Sequence, residues 1–205
     1  MGRATVIVRA VEADEVPLLT PLWAEFASYS PGLVGPGASD VLPRVAEHIR
    51  ASQAIVAAGG RPTYRLAVAE VDGEFVGFAS LSVIDRGLLS TTSAVVIDAV
   101  HVADRRRRAG VGTALVREAA GFADEIGATD VLANVPPSNR EVNRFFARYG
   151  FAPLVVRRTV PIAQLRRRLG VDLRLDPRDA TVDLTPVQRS LRRRVLLTPR
   201  RTARP

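Results

Sequence analysis

One stretch constrains this chain more than any other. Residues 94–102 form a nearly continuous run of β-branched and small apolar residues, followed by Asp104, the four arginines Arg105 to Arg108, and then Gly110-Val111-Gly112-Thr113. A strand with so few polar positions is expected where both faces of a sheet are covered. From Val111 the period changes: Val111, Leu115, Ala119, Phe122 and Ile126 share one face of a helix, and Gly127 is suited to its C-terminal cap. A helix start offers unpaired N–H groups and the positive end of the backbone dipole, and glycines let a bulky anion approach them. A buried strand, a basic turn and a glycine-started helix therefore make a cradle for a pyrophosphate.

Around this segment the pattern predicts layered α/β structure. A short strand at 5–8 is followed by a helical pattern (Leu18, Leu19, Leu22, Trp23, Phe26) with Asp14 as a cap and Pro21 kinking it or delaying its start. Residues 30–38 read as a Pro/Gly loop and 40–58 as a second helix. Strands 64–71 and 74–83 flank Asp72-Gly73, a two-residue hairpin signal. After the 111–126 helix come a strand at 130–135, a helix at 138–149 opened by a Ser138/Glu141 capping box, and a last strand at 151–160. The predicted order is β-α-α-β-β-β-α-β-α-β.

Two phosphate-binding loops are excluded by the residues. Gly110-x-Gly112-x-x-Leu115 lacks the third glycine of a dinucleotide-binding turn, and the chain has no lysine for a Walker A loop. The fixed positions of Arg107-Arg108-Ala109-Gly110-Val111-Gly112 instead match the Arg/Gln-x-x-Gly-x-Gly/Ala loop of the GNAT superfamily of acetyl-CoA-dependent N-acetyltransferases. Asn139-x-x-Val142-x-x-Phe145-Phe146-x-x-Tyr149-Gly150-Phe151 resembles a second motif of that family, and Arg9…Asp14 its usual opening. The resemblance spans about residues 5–156. It implies a GNAT fold over 1–161, with a mixed, mostly antiparallel central sheet, splayed central strands and helices on both faces. Residues 162–205 are then an Arg-rich extension.

The resemblance implies direct acetyl transfer from acetyl-CoA to an amine of a small molecule, peptide or protein. The strand backbone at Val100, His101 and Val102 is expected along the pantetheine arm. Arg107, Arg108, Ala109, Gly110, Val111, Gly112 and Thr113 are expected at the pyrophosphate, with Asn139 on the cofactor side. For the proton acceptor we expect Asp98, which interrupts an apolar strand and, by alternation, shares a face with Val96, Val100 and Val102. A carboxylate in a dry cleft has a raised pKa, as a general base requires; a hydrogen-bonded structural acid is the alternative reading. Glu70 is the second candidate. His101 points, by the same alternation, away from Asp98 and reads as a packed structural residue. The tyrosine that protonates the departing thiolate in relatives aligns with Phe146, which leaves Tyr149, one turn on, as a substitute or as core.

Composition sets the remaining limits. There is no cysteine, and only His48 and His101 are available, so thiolate chemistry is excluded and a histidine-based metal site is not expected. No segment reads as a signal peptide or membrane span, so a cytoplasmic protein without membrane attachment is expected. Residues 1–156 hold 15 Arg against 17 acids, and 157–205 hold 14 Arg against 4 Asp. Charge so confined reads first as a solvated tail or one packed on a second subunit of a homodimer, with an anionic partner for the tail as the alternative. Two further functions stay open: a non-catalytic acyl-CoA-binding regulator, and a nucleic-acid-associated protein acting through the tail. Within that tail, 171–175 alternates like a strand and 187–197 like a basic amphipathic helix.

Overall fold

The computed structural model describes residues 5–29, 41–85, 92–156 and 158–169. The chain divides into two compact units, Met1–Ala152 and Pro153–Pro205. The loop expected at 30–38, residues 86–91, and the patterns at 171–175 and 187–197 lie outside the described residues.

The first unit is built on strands β1 (Ile7–Ala10), β2 (Tyr64–Val71), β3 (Glu74–Asp85), β4 (Ser93–Val102) and β5 (Asp130–Ala133), in that spatial order. Neighbours from β1 to β4 are antiparallel and β4–β5 is parallel. The β2–β3 hairpin turns on Asp72 (φ 53°) and Gly73 (φ 78°), the paired left-handed conformation that a two-residue hairpin loop requires.

Helices α1 (Thr20–Tyr29) and α2 (Val41–Ala57) cover one face of the sheet. There Leu22, Phe26 and Ile49 pack with Leu66, Val68 and Phe78. Helix α3 (Val111–Ile126) and α4 (Arg140–Ala147) belong to the other face, where Leu115, Phe122 and Phe146 meet Ala67, Ala79, Leu81, Val95 and Ile97. Each large apolar side chain buried this way contributes about 1.5–3 kcal/mol, so both faces are held by packing.

Four sequence expectations change in detail. A 3-10 turn, Val16–Leu19, precedes α1, and Asp14 does not cap it; Glu15 holds the cap position and pairs with Arg9 at 2.7 Å. That hydrogen bond to Arg9 holds the Glu15 carboxyl down at about 2. Pro21 falls in the first turn of α1, where its missing N–H costs no intrahelical bond, so it delays the helix without kinking it. The cap of α4 is Asn139, whose Oδ1 accepts from Val142 N at 3.1 Å, in place of the expected Ser138 box. Finally, no strand forms over the described part of 151–160. Leu154, Val155 and Val156 are exposed, and strand character without a neighbouring strand does not hold a chain extended. The second unit's described element is α5 (Ile162–Leu169), with Arg166, Arg167 and Arg168 in its last turn.

Candidate acetyl-transfer site

The site begins where two strands part. The last β4–β5 pair is Ile97 with Ala133, closed by Asn134 N donating to Ile97 O at 3.0 Å. Strand β4 runs on to Val102, so from Asp98 onward the edge facing away from β3 has no strand partner among the described residues. Because β5 is the edge strand of this sheet, the fork opens between β4 and an edge.

At the mouth of the fork β4 bulges. Ala99 pairs with Ser80 and Ile97 with Leu81, which leaves Asp98 as an inserted residue. An insertion reverses the facing of everything beyond it, and this corrects the alternation argued from sequence. Val100 and Val102 pack with Val95 and Ile97 on the α3 face. Asp98 and Ala99 turn together to the α1/α2 face. His101 joins that face, its ring 6.1 Å from Phe26 and 6.0 Å from Phe78. Asp98 therefore shares its face with His101 and not with Val100 or Val102.

Asp98 joins two spaces. Its Oδ1 accepts from Asn134 Nδ2, 3.3 Å away across the fork. It also lines a cavity of about 200 Å³ walled by α1, α2 and the sheet, with Trp23, Phe26, Leu42, Val45, Tyr64, Phe78 and Ser80 among its neighbours. Tyr64 and Ser80 hydroxyls lie 2.9 Å apart, and burial pushes the Tyr64 phenol above its usual pKa. Neither was singled out from sequence. Tyr64 opens a strand, and only the register to β3 shows it across from Ser80's neighbourhood.

The cradle stands at the far end of the free edge. Asp98 and Val102 are four positions apart, roughly 13 Å of strand, and a Cβ on Gly112 would lie 3.8 Å from Val102 Cγ2. After a 3-10 turn, Asp104–Arg106, the chain enters left-handed conformation at Arg108 (φ 62°) and Gly110 (φ 85°), and α3 starts at Val111. Alternation with left-handed residues curls successive amides toward one concavity, the geometry of an anion nest. Gly110 caps α3 without a side chain, and a Cβ there would meet no protein atom within 4 Å. The approach to the start of α3 is therefore open. Gly112 differs: its Cβ would press to 3.2 Å on the Phe145 ring, so packing explains that glycine.

The loop arginines divide by task. Arg105 pairs with Glu74, and Arg107 holds Asp104 at 2.8 Å and Glu141 at 3.5 Å while lying over the Tyr29 ring at 5.3 Å. Arg108 and Ala109 are exposed beside Gly110. Helix α1 also grips the loop: Tyr29 Oη donates to Asp104 Oδ2 at 2.6 Å, and Asp104 N donates to Glu25 Oε1 at 2.9 Å. The other oxygen of Glu25 stands 3.5 Å from His101 Nε2, which has no hydrogen-bond partner among the described residues. Burial lowers the His101 pKa, against the opposing pull of Glu25. This latch between α1 and the loop had no signal in the sequence, since its partners are some 75 positions apart.

The remaining candidates lie elsewhere. Glu70 pairs with Arg9 at 3.4 Å, on the β1 side of the sheet, and does not line the cavity. Tyr149 Oη is 2.6 Å from Thr113 Oγ1, at the cradle and not at the fork. Phe146 is 3% exposed, packed against Phe145 and Phe151. The Asn139 side-chain oxygen is occupied as the α4 cap. His48 is exposed on α2.

Comparisons with known proteins agree with this fold. A model of the acetyltransferase (GNAT) family matches residues 39–151, more than half of the 205 residues. A ribosomal-protein-alanine N-acetyltransferase from Brucella melitensis biovar Abortus superposes with a TM-score of 0.60 at 16% identity, over 77% of this chain and 99% of its own. An aminoglycoside N-acetyltransferase in complex with CoA gives 0.60 at 17% identity, over 78% and 98%. The glucosamine-6-phosphate N-acetyltransferase of Arabidopsis thaliana gives 0.56 at 17%, over 77% and 98%. No curated protein matches the sequence.

Proposed function

As a member of the acetyltransferase (GNAT) family the chain is an acetyl-CoA-dependent N-acetyltransferase, and we propose that transfer takes place at the β4–β5 fork, with Asp98 as the proton acceptor. The observation that carries this reading is the bulge. It sets one carboxylate between the free edge of β4 and the α1/α2 cavity.

Acetyl-CoA enters as the donor substrate. Its pyrophosphate rests on the α3 start between Arg108 and Thr113, where Gly110 leaves the approach open. Its pantetheine arm follows the unpaired edge of β4 at Val100, His101 and Val102, which brings the thioester to Asp98. An amine entering from the cavity arrives protonated and gives one proton to the carboxylate, with Asn134 holding that carboxylate in place. The freed lone pair attacks the thioester carbonyl carbon, and a backbone N–H of the β4 edge stabilises the developing oxyanion. The C–S bond breaks as the C–N bond is completed. The thiolate takes up one proton and the amide nitrogen loses its second to solvent. Phe146 has no proton to give, and the Tyr149 hydroxyl lies by the cradle, so water protonates the thiolate.

The missing hydroxyl at Phe146 favours one second reading, a cytoplasmic acyl-CoA sensor without turnover. Release of CoA thiol from acetyl-CoA in the presence of amines separates the two. In the enzyme, Asp98→Asn lowers kcat by on the order of 10²–10⁴-fold while the acetyl-CoA Kd stays the same. Normal turnover by a folded Asp98→Asn protein at neutral pH sinks the assignment.

A further inference from the structure

Helix α1 reaches both halves of the site. Resting on the acetyltransferase reading of that site, we propose that Glu25 and Tyr29 are positioning residues for acetyl-CoA. They hold the turn that leads into the pyrophosphate cradle, and so carry occupancy of the cradle into the helix that walls the acceptor cavity.

The turn has little to hold it from within. Asp104–Arg106 is a single 3-10 turn with no buried residue. Among the described residues its backbone bonds are Arg106 N to Ala103 O at 2.8 Å and Arg107 N to Asp104 O at 3.3 Å. Arg107 is then extended and Arg108 left-handed at φ 62°. A non-glycine residue persists in that conformation only where its surroundings fix it. Here the fixing comes at Asp104 and Arg107. Asp104 N donates to Glu25 Oε1 at 2.9 Å, and Asp104 Oδ2 accepts from Tyr29 Oη at 2.6 Å. Asp104 Oδ1 pairs with Arg107 Nη2 at 2.8 Å, and the same guanidinium lies over the Tyr29 ring at 5.3 Å. Two residues of α1 thus secure the residue that opens the turn and the one that precedes Arg108.

Glu25 and Tyr29 are four positions apart and therefore share a face of α1. They are not what seats the helix. Leu22 and Phe26 do that, buried against Leu66, Val68 and Phe78, whereas Tyr29 is 54% exposed. With α1 seated by packing, the polar contacts at its end act on the turn. The bond to the Asp104 carboxylate pushes the Tyr29 phenol above its usual pKa, so Oη keeps the proton it donates. The pair also touches β4: Glu25 Oε2 stands 3.5 Å from His101 Nε2, and the Tyr29 ring stacks on that of His101 at 6.5 Å. On the same helix, Trp23 and Phe26 line the cavity. One element therefore meets both ligands, and acetyl-CoA that steadies the turn also steadies the cavity wall.

Trp23 is the chain's single tryptophan, with its ring centroid 6.0 Å from that of Phe78 on β3, so its emission reports how α1 sits on the sheet. The experiment titrates acetyl-CoA into the full chain as wild type, Tyr29→Phe, Glu25→Ala and Glu25→Gln. Calorimetry gives the Kd, Trp23 emission follows α1, and thermal melts without ligand check the fold. Tyr29→Phe keeps the ring and removes only the hydroxyl. Glu25→Gln keeps an oxygen for Asp104 N, which Glu25→Ala removes. The expected result is a Kd raised about fivefold in Tyr29→Phe and in Glu25→Ala, with Glu25→Gln returning toward the wild type. The wild type is expected to show a saturable Trp23 change, about twofold or more smaller at saturation in the two weakened variants. Should Glu25→Ala fail to fold, Tyr29→Phe decides. A wild-type Kd in the folded variants overturns the proposal and leaves the cradle standing, and a lower Tm beside it marks the contacts as structural only. A raised Kd with the same Trp23 response in all proteins, or with none in any, supports the hold on the turn and overturns the link to the cavity wall. A wild type that does not bind acetyl-CoA defeats the cradle, and the proposal with it.

Discussion

Asp98 and His101 show how much one inserted residue changes. Without the bulge, alternation puts the two on opposite faces; with it, both turn toward α1 and α2. That Asp98 stands apart in an apolar strand was legible, because a charge in such a run is visible in the sequence. Its facing was not, because bulges are set by pairing with β3, and pairing is not written locally. His101 carries a consequence for stability. Burial lowers its pKa below the usual value, with Glu25 and Asp104 opposing that shift and Arg107 adding to it. Between the lowered value and about 6.5, the unfolded chain holds a proton that the folded chain lacks. Stability therefore falls as pH is lowered through that window, by up to about 1.4 kcal/mol per pH unit. Thermal melts of wild type and His101→Gln between pH 7 and 5 check this: the wild type loses Tm more steeply. Parallel slopes would show that His101 is protonated in the fold, as a dominant Glu25 contact would require.

At the scale of elements, the strand, loop and helix around 94–126 were the most legible part of the chain. The period changes from 2 to 3.6 across two glycines, and both ends of α3 match the expectation. What the motif did not reveal is that its glycines serve different ends. Gly110 has a left-handed φ and open space beyond it, whereas Gly112 is held small by Phe145. The contrast makes the cradle testable without breaking the helix. Gly110→Asp points a carboxylate into the open space and opposes the pyrophosphate by charge and bulk. Gly110→Asn adds similar bulk without charge, and both side chains tolerate the left-handed conformation better than most. Calorimetry with acetyl-CoA is expected to show a loss of about 2 kcal/mol, roughly thirtyfold, for Gly110→Asp, and a smaller one for Gly110→Asn. Unchanged affinity in a folded Gly110→Asp protein would move the pyrophosphate elsewhere. The last expected strand failed for the complementary reason. Its residues have β-branched character, but β5 remains an edge and offers 151–160 no described pairing.

For the whole molecule, the division of charge and the division of structure fall close together. The first compact unit ends at Ala152, and among the described residues the two hydrophobic clusters draw on none beyond Phe151. Every element of the proposed site lies inside it. Beyond it the sequence turns basic: of 29 arginines, 12 lie in residues 162–205, against 4 Asp there. Arginines set side by side, as at Arg192 to Arg194, repel one another unless an anion lies between them. A chain ending at Pro161 keeps Phe151 for the core and sheds that charge, so it is expected to fold, to bind acetyl-CoA with the Kd of the full chain, and to keep its amine turnover. The full chain, in contrast, is expected to bind a polyanion such as heparin with an affinity that falls steeply as salt rises, and the shortened chain to lose most of that binding. Chromatography on heparin across a salt gradient, beside calorimetry with acetyl-CoA, measures both halves. If the shortened protein is insoluble or no longer binds acetyl-CoA, residues 162–205 belong to the folded enzyme, and the boundary at Pro161 is wrong.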